Sequence, residues 1–426
     1  MRMKRYEQYK PTGISWLPEI PAHWDTMRIR GLFEESIEKT VDDSGTLLSL
    51  SQYTGVSLKS EAGKTGMFEA ESTTGYKIVH PGQFVMNIML AWNGSYAVSD
   101  LEGIISPAYC VFDFRIPCVK RYFDYLLRTK IYSGAFKTQS RGIIDSRLRL
   151  YPNKFYSFKA IVPPIEEQEK IVAYLDKKIT LIETCKCQRE RELQTLNELK
   201  QAEIASVVTR GLNPNVPMKD SGQIQFGEIP AHWDSVKMKY CFTQRSEKGF
   251  PDEPVLCATQ SKGVIPQSIY ENRVVVVNKG FEGLKLVKVG DFVISLRSFQ
   301  GGIEYAYYQG IISAAYTILT PNDVRNSQYF KYLFKSHPFI QLLQTCVTGI
   351  REGQNINYGV LGNNFIPIPP IEEQNAIVEY IEAKTNKIDT MIEALKAEID
   401  RLTEYKQRLI SDVVTGQIDV RSEKIG

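Results

Sequence analysis

The sequence predicts an α+β fold: two tandem-repeat α/β domains joined by two long helices, paired as an antiparallel coiled coil about a pseudo-two-fold axis. Three observations predict it. The stretch Ile20-Pro-Ala-His-Trp-Asp25 recurs letter for letter as Ile229-Pro-Ala-His-Trp-Asp234. Pro163-Pro-Ile-Glu-Glu-Gln168 recurs as Pro369-Pro-Ile-Glu-Glu-Gln374, in the same order. Both offsets are roughly 200 residues, far longer than a solenoid repeat. Finally, each copy reads as short β-rich runs followed by one long stretch of helical spacing.

Fainter matches keep the order inside the repeat. Gly103-Ile-Ile-Ser106 answers Gly310-Ile-Ile-Ser313, and Tyr122-Phe-Asp-Tyr-Leu126 answers Tyr329-Phe-Lys-Tyr-Leu333. Glycine-introduced apolar runs at 82–90 and 290–296 predict strands, as does the β-branched run 273–277. Asn93-Gly-Ser95 and Gln300-Gly-Gly302 predict tight turns. Short helices are expected at 120–129 and 327–335.

The long helices are expected at 166–208 and 372–414. Each opens directly after Pro-Pro, where a missing N–H goes unmissed, and carries Glu-Glu against the positive end of the helix dipole. They close on Val207-Val-Thr-Arg-Gly211 and Val413-Val-Thr-Gly416, with glycine as the stop. At 1.5 Å rise per residue each spans roughly 65 Å. In the second helix Ile377, Ile381, Ile388, Met391, Leu395, Leu402, Tyr405 and Leu409 form a heptad seam interrupted at Lys384. In the first, Ile171, Leu175, Ile179 and Ile182 open a stripe that Leu193, Leu196 and Leu199 resume after a polar break at 186–192. A lone helix of that length is poorly stable in water, so the two are expected to pair. Antiparallel pairing keeps the globular units at opposite ends. The Pro/Asn/Ser/Gly-rich stretch 213–222 reads as a linker. The expected divisions are therefore 1–160, 161–212, 213–366 and 367–426.

A net charge of +3 permits a nucleic-acid partner without demanding one, and 43% hydrophobic residues fit an ordinary globular chain. The first residues lack the apolar stretch of a secretion signal, and no run approaches membrane-spanning length. Seven scattered cysteines predict free thiols in a reducing cytoplasm; Cys185 and Cys187, two apart on a helix, point to different sides. Two equal helices packed antiparallel are related by a two-fold axis, which would also relate the two globular units. Duplex DNA has local two-fold axes of its own, and dimeric readers exploit them. Between the repeats the framework is kept and the loops differ: Ser-Gln-Tyr-Thr at 51–54 against Thr-Gln-Ser-Lys at 259–262.

The motifs spanning 10–25 and 219–234, with those at 161–168 and 368–374, resemble the specificity (S) subunit of type I restriction–modification enzymes over nearly the whole chain. The resemblance implies two target-recognition domains, a central and a distal long helix, and no catalysis by this chain itself. It implies an asymmetric bipartite double-stranded DNA target. It also implies two methyltransferase (M) and two motor-nuclease restriction (R) subunits as partners, which would hold S-adenosylmethionine, ATP and Mg, and adenine-N6 methylation as the chemistry. On this reading the protein works in the prokaryotic cytoplasm, on the nucleoid when DNA-bound. The faithfully copied Pro163, Pro164, Glu166, Glu167 and Gln168, with Pro369, Pro370, Glu372, Glu373 and Gln374, are then candidates for scaffold and partner docking.

Catalytic apparatus is absent from the sequence. Val162-Pro-Pro-Ile165 and Ile368-Pro-Pro-Ile371 lack the amide or acid and the aromatic ring of an adenine methyltransferase, and no phosphate-binding loop occurs. Glu382-Ala-Lys384 and Glu404-Tyr-Lys406 read as solvated helix charge. Of the four histidines, His23 and His232 duplicate one another beside tryptophans, which favours a structural role over metal binding. DNA contacts need Arg, Lys, Gln and Asn at base edges and phosphates. The candidates are Gln52, Tyr53, Asn93, Arg141, Arg147 and Arg149 in the first repeat. In the second they are Gln260, Lys262, Arg297, Gln300, Arg351 and Asn355. The competing reading is a duplicated protein-binding adaptor or scaffold with no DNA role.

Overall fold

The computed structural model describes residues 4–61, 72–142, 148–270, 280–322, 327–348 and 355–423. The chain is mixed α+β and divides into two compact units. One is Met1–Arg189 with Ala397–Gly426; the other is Glu190–Lys396. Each unit holds one globular repeat, part of the long helix that follows it, and part of the other long helix.

The first unit is built on a four-stranded antiparallel sheet in the order Phe33–Glu35, Tyr109–Phe114, Phe84–Asn87, Tyr96–Val98. In the second unit the same order is Phe242–Arg245, Thr317–Pro321, Phe292–Ile294, Glu304–Tyr305. The predicted strands at 82–90 and 290–296 are the central ones, shortened to their most buried residues; 273–277 lies outside the described residues. Helices Lys120–Leu127 and Ser327–Leu333 occupy the expected places, and each is followed by a second helix, Lys130–Gln139 or His337–Thr345. Aromatic side chains fill each core, with Phe33, Phe84, Phe112 and Phe155 packed ring against ring in the first. Phe242, Phe292, Phe330 and Phe334 do the same in the second.

The twice-copied motifs meet in space. Strand Asp25–Arg28 pairs antiparallel with Lys159–Val162, placing Asp25 opposite Val162. Asp234–Lys237 pairs with Phe365–Ile368, placing Asp234 opposite Ile368. Both ends of each repeat are thus tied together where the long helix departs.

Those helices run Ile165–Arg210 and Ile371–Val414. In the first unit Lys406 bonds Glu183 at 2.6 Å and Arg189 bonds Glu398 at 3.1 Å. In the second, Lys200 bonds Asp389 at 2.6 Å and the Tyr380 hydroxyl donates to Glu203 at 2.5 Å. Within each unit, ascending numbers on one helix meet descending numbers on the other. The segments therefore run antiparallel. Burial along the second helix corrects the expected register. Met391 is 55% exposed, whereas Ile392 is buried, and Thr385 rather than Lys384 lies inside. The seam runs Ile381, Thr385, Ile388, Ile392, Leu395, Ile399, Leu402, Lys406, Leu409, in unbroken steps of four and three. Tyr405 is likewise exposed. On the first helix Leu199 is exposed, and the polar break is bridged by Arg189.

The predicted linker is partly wrong. Met218–Asp220 is a strand paired with Glu228–Pro230, joined by main-chain bonds while its side chains face solvent, so no apolar pattern announced it. None of the seven cysteines is joined in a disulfide. No helix among the described residues is long and apolar enough to cross a membrane.

Candidate nucleic-acid interface

In the first unit, strands Leu48–Ser51 and Gly55–Leu58 form a hairpin with Ser51 opposite Gly55, leaving Gln52-Tyr53-Thr54 as a three-residue tip. Gly55 takes φ 74°, the left-handed closure such a tip requires. The Ser51 hydroxyl accepts from the Tyr53 N–H at 3.1 Å, and the Tyr53 ring stands 83% exposed. In the second unit Leu256–Thr259 and Gly263–Pro266 leave Gln260-Ser261-Lys262 as the tip, with Gly263 at φ 73°. Thr259 braces it, its hydroxyl accepting from the Lys262 N–H at 3.0 Å.

A second turn lies beside each tip. Asn93 sits exposed on the single 3-10 turn Ala91–Asn93, ended by Gly94 at φ 89°. A Cβ on Gly94 would stand 3.9 Å from Gln52 Cβ. Arg297 and Gln300 are exposed on and beside the short helix Ser298–Gly301, where a Cβ on Gly301 would stand 2.8 Å from the Gln260 side chain. The structure therefore gathers Gln52, Tyr53 and Asn93 in one cluster, and Gln260, Lys262, Arg297 and Gln300 in another.

Arg141 and Arg149 face each other across a two-residue antiparallel bridge, Arg141 N–H to Arg149 O at 3.0 Å and the reverse at 2.9 Å. Both side chains are exposed, and Arg141 lines a surface pocket with Tyr151, Pro152, Asn153 and Lys154. Asn355 pairs with Thr348 at the matching place in the second unit. Arg147 and Arg351 lie outside the described residues.

Five residues at these clusters escaped sequence reading. The Arg128 guanidinium donates to the Gln52 carbonyl at 3.0 Å and lies 3.5 Å from Asp124. The Lys335 ammonium donates to the Gln260 carbonyl at 3.2 Å and pairs with Glu304. Burial raises the Asp124 carboxyl above the usual range and the Glu304 carboxyl to about 7, each against the pull of its cation. The internal match of Tyr122–Leu126 with Tyr329–Leu333 places Arg128 opposite Lys335, and that signal could have found them. The Lys137 ammonium also lies over the Trp92 ring, 5.1 Å from its centroid, beside Asn93.

The Pro-Pro-Ile-Glu-Glu-Gln motifs hold a different site. The Glu167 carboxylate accepts from the Trp24 indole at 2.5 Å and lies 2.7 Å from His23 Nε2. Glu373 accepts from Trp233 at 2.9 Å and lies 2.7 Å from His232 Nε2. The Gln168 amide donates to the Pro163 carbonyl and accepts from the Val119 N–H; the Gln374 amide donates to the Pro369 carbonyl. The motif divides between scaffold and exposed residues. Pro163, Glu167, Gln168, Pro369 and Gln374 are buried and Glu373 is half-buried, so these side chains hold the helix to its own domain. Pro164, Glu166, Pro370 and Glu372 remain exposed. His23 and His232 each lie against the glutamate of the motif in their own unit.

Residues 230–401 match the family described as the type I restriction modification DNA specificity domain. The type I restriction enzyme MjaVIII specificity subunit of Methanocaldococcus jannaschii is 26% identical over 359 residues, covering 79% of this chain and 80% of its own. The chain is thus similar to type I restriction–modification specificity subunits over most of its length. Solved structures share the fold. A chain from a type I R-M system, solved to explain complex assembly and conformational transition, matches 94% of this chain and 99% of its own with a TM-score of 0.67 at 17% identity. The HsdS subunit of Thermoanaerobacter tengcongensis matches 94% and 98% with a TM-score of 0.50 at 19% identity. No group of three His, Cys, Asp or Glu side chains among the described residues could hold a metal ion.

Proposed function

We propose that this chain is a specificity subunit and reads an asymmetric bipartite DNA sequence, one half-site with each repeat. Domains 1–160 and 213–366 are the target-recognition domains, and 161–212 and 367–426 are the helices that pair antiparallel to set their separation. The observation that carries this is the pair of hairpin-tip clusters. They are built on one strand order and braced alike, yet present Gln-Tyr-Thr beside Trp-Asn-Gly in one repeat and Gln-Ser-Lys beside Phe-Gln-Gly in the other. A shared scaffold with different tips is what two different half-sites require, because groove edges are read by side-chain type while the docking geometry stays fixed.

Two M subunits dock on the helices and carry S-adenosylmethionine; they extrude and methylate adenine at N6, a step that requires the base to leave the stack. Two R subunits join with ATP and Mg for cleavage. The exposed Pro164, Glu166, Pro370 and Glu372 are the docking candidates that the motifs leave free. Electrophoretic mobility of the chain with its M partner on genomic fragments tests the reading. Retention of fragments sharing a gapped motif supports it, whereas uniform mobility with intact M binding favours the adaptor.

A further inference from the structure

We propose that Arg128 and Lys335 are positioning residues that fix the two DNA-reading hairpin tips by gripping their backbone carbonyls. This rests on the assignment of the tips as reading elements.

The argument starts from what the two cations touch. Arg128 follows helix Lys120–Leu127, and its guanidinium donates to the carbonyls of Gln52 at 3.0 Å and Tyr53 at 3.4 Å. Lys335 follows helix Ser327–Leu333, and its ammonium donates to the carbonyls of Gln260 at 3.2 Å and Gly301 at 2.9 Å. In both repeats a cation at the end of the same helix reaches the first carbonyl of the same tip. Such carbonyls have no partner within a three-residue turn, so an outside donor decides how the tip is held.

The counter-charge differs between the two. Asp124, one helical turn before Arg128, lies 3.5 Å from it and accepts from the Val98 N–H at 2.9 Å. At the equivalent helix position the second repeat has Lys331, and the carboxylate comes instead from Glu304 on the edge strand Glu304–Tyr305. Both members of the pair have been replaced, yet the grip on the tip is retained. A bond to a main-chain carbonyl is indifferent to the tip's side chains, so the tip sequence can vary while its placement is fixed.

The grips also differ in reach. Lys335 joins the tip to the turn that carries Gln300, whereas Arg128 holds only the tip. Losing Lys335 therefore frees two reading segments and losing Arg128 frees one. Preorganised side chains discriminate bases, and loosened ones lose that discrimination before they lose affinity for phosphates.

The test expresses the full chain with its methyltransferase partner and maps N6-methyladenine on genomic DNA, scoring each half of the motif separately. Lys335→Ala should raise methylation at sites mismatched in one half by about tenfold, the size of a lost positioning contact worth about 1.4 kcal/mol, with the other half unchanged. Arg128→Ala should do the same, less severely, to the opposite half. Lys335→Arg, which keeps the charge and the reach, should restore the motif. An unchanged motif in Lys335→Ala, when Gln260→Ala loosens one half, overturns the grip and leaves the reading tips standing. If Gln260→Ala and Gln52→Ala are also silent, the tips themselves are wrongly assigned and the proposal falls with them. Loss of both halves together, not rescued by Lys335→Arg, also overturns it.

Discussion

The Trp24 indole N–H donates to the Glu167 carboxylate at 2.5 Å, joining the two motifs that the chain carries twice. Trp24 is fully buried, and the buried Glu167 carboxylate also accepts from the Tyr6 hydroxyl and lies beside His23 and Arg421. Glu167→Ala leaves the indole donor buried without a partner, which costs about 1–3 kcal/mol. Glu167→Gln keeps an acceptor and costs less. Hydrogen exchange should place the loss in the first unit, while Glu373→Ala places it in the second. Protection lost evenly along the chain would contradict the assignment of one such node to each unit.

The glycines that end the long helices differ in how tightly they are packed. Gly416 has φ 75°, and a Cβ there would stand 2.4 Å from Pro21 Cδ and 3.0 Å from Trp24 Cζ3. Gly211 has φ 74°, and a Cβ there would stand 2.8 Å from Glu373 Oε1 and 3.2 Å from Trp233 Cζ2, with the Pro230 ring farther off at 3.7 Å. Each alanine pays about 1–2 kcal/mol for the left-handed backbone. Gly416→Ala adds an overpacking cost of about 1–3 kcal/mol against the proline ring. Thermal denaturation should rank Gly416→Ala as the more destabilised; equal midpoints would contradict the packing.

Each helix end is also held by a tyrosine: Tyr122 donates to the Val414 carbonyl at 3.0 Å, and Tyr329 to that of Val208 at 2.8 Å. Tyr122→Phe and Tyr329→Phe should each cost about 1 kcal/mol in urea unfolding, with an unchanged m-value.

Lys200 and Asp389 form a partly exposed pair between the helices. A double-mutant cycle with Lys200→Ala and Asp389→Ala should give a coupling of about 0.2–1 kcal/mol, shrinking in high salt. The charge-reversed pair Lys200→Asp with Asp389→Lys should recover most of what either single reversal loses.

Although it pairs with Lys335, Glu304 sets a pH dependence opposite in sign to that of a carboxylate whose pKa is held down by its cation, because burial outweighs the cation here. Burial lifts its pKa from the ordinary 4.5 to about 7, so between those values the folded unit binds a proton that the unfolded chain does not. Stability from this group therefore falls as pH rises from about 4.5 to 7 and is flat above. The difference amounts to about 3 kcal/mol at most. Glu304→Gln should flatten that part of the pH–stability curve; a wild-type curve that rises there and is unchanged by the substitution would contradict it.

The duplication, the strand–helix order and the helix ends were legible because they rest on residue types that periodicity and capping read directly. The helix register was displaced by one residue at Met391, since Thr385 and Lys406 occupy seam positions that a search for apolar side chains passes over. Glu167 reads as a docking candidate in the sequence because its burial depends on Trp24, far away in the chain. The tips were legible from Gln-x-x-Gly, whereas Arg128 and Lys335 act on main-chain carbonyls and leave no mark on the residues they hold. Met218–Asp220 escaped for the same reason.

The central claim is that each repeat reads its own half of one gapped sequence. The direct measurement is a genome-wide N6-methyladenine map made with the intact chain and with its second tip altered by Lys262→Ala and Gln260→Ala. The account predicts a bipartite motif in which the altered tip changes the bases of one half only, with the spacer and the other half intact. A motif that changes in both halves, or methylation that does not depend on this chain, would contradict it.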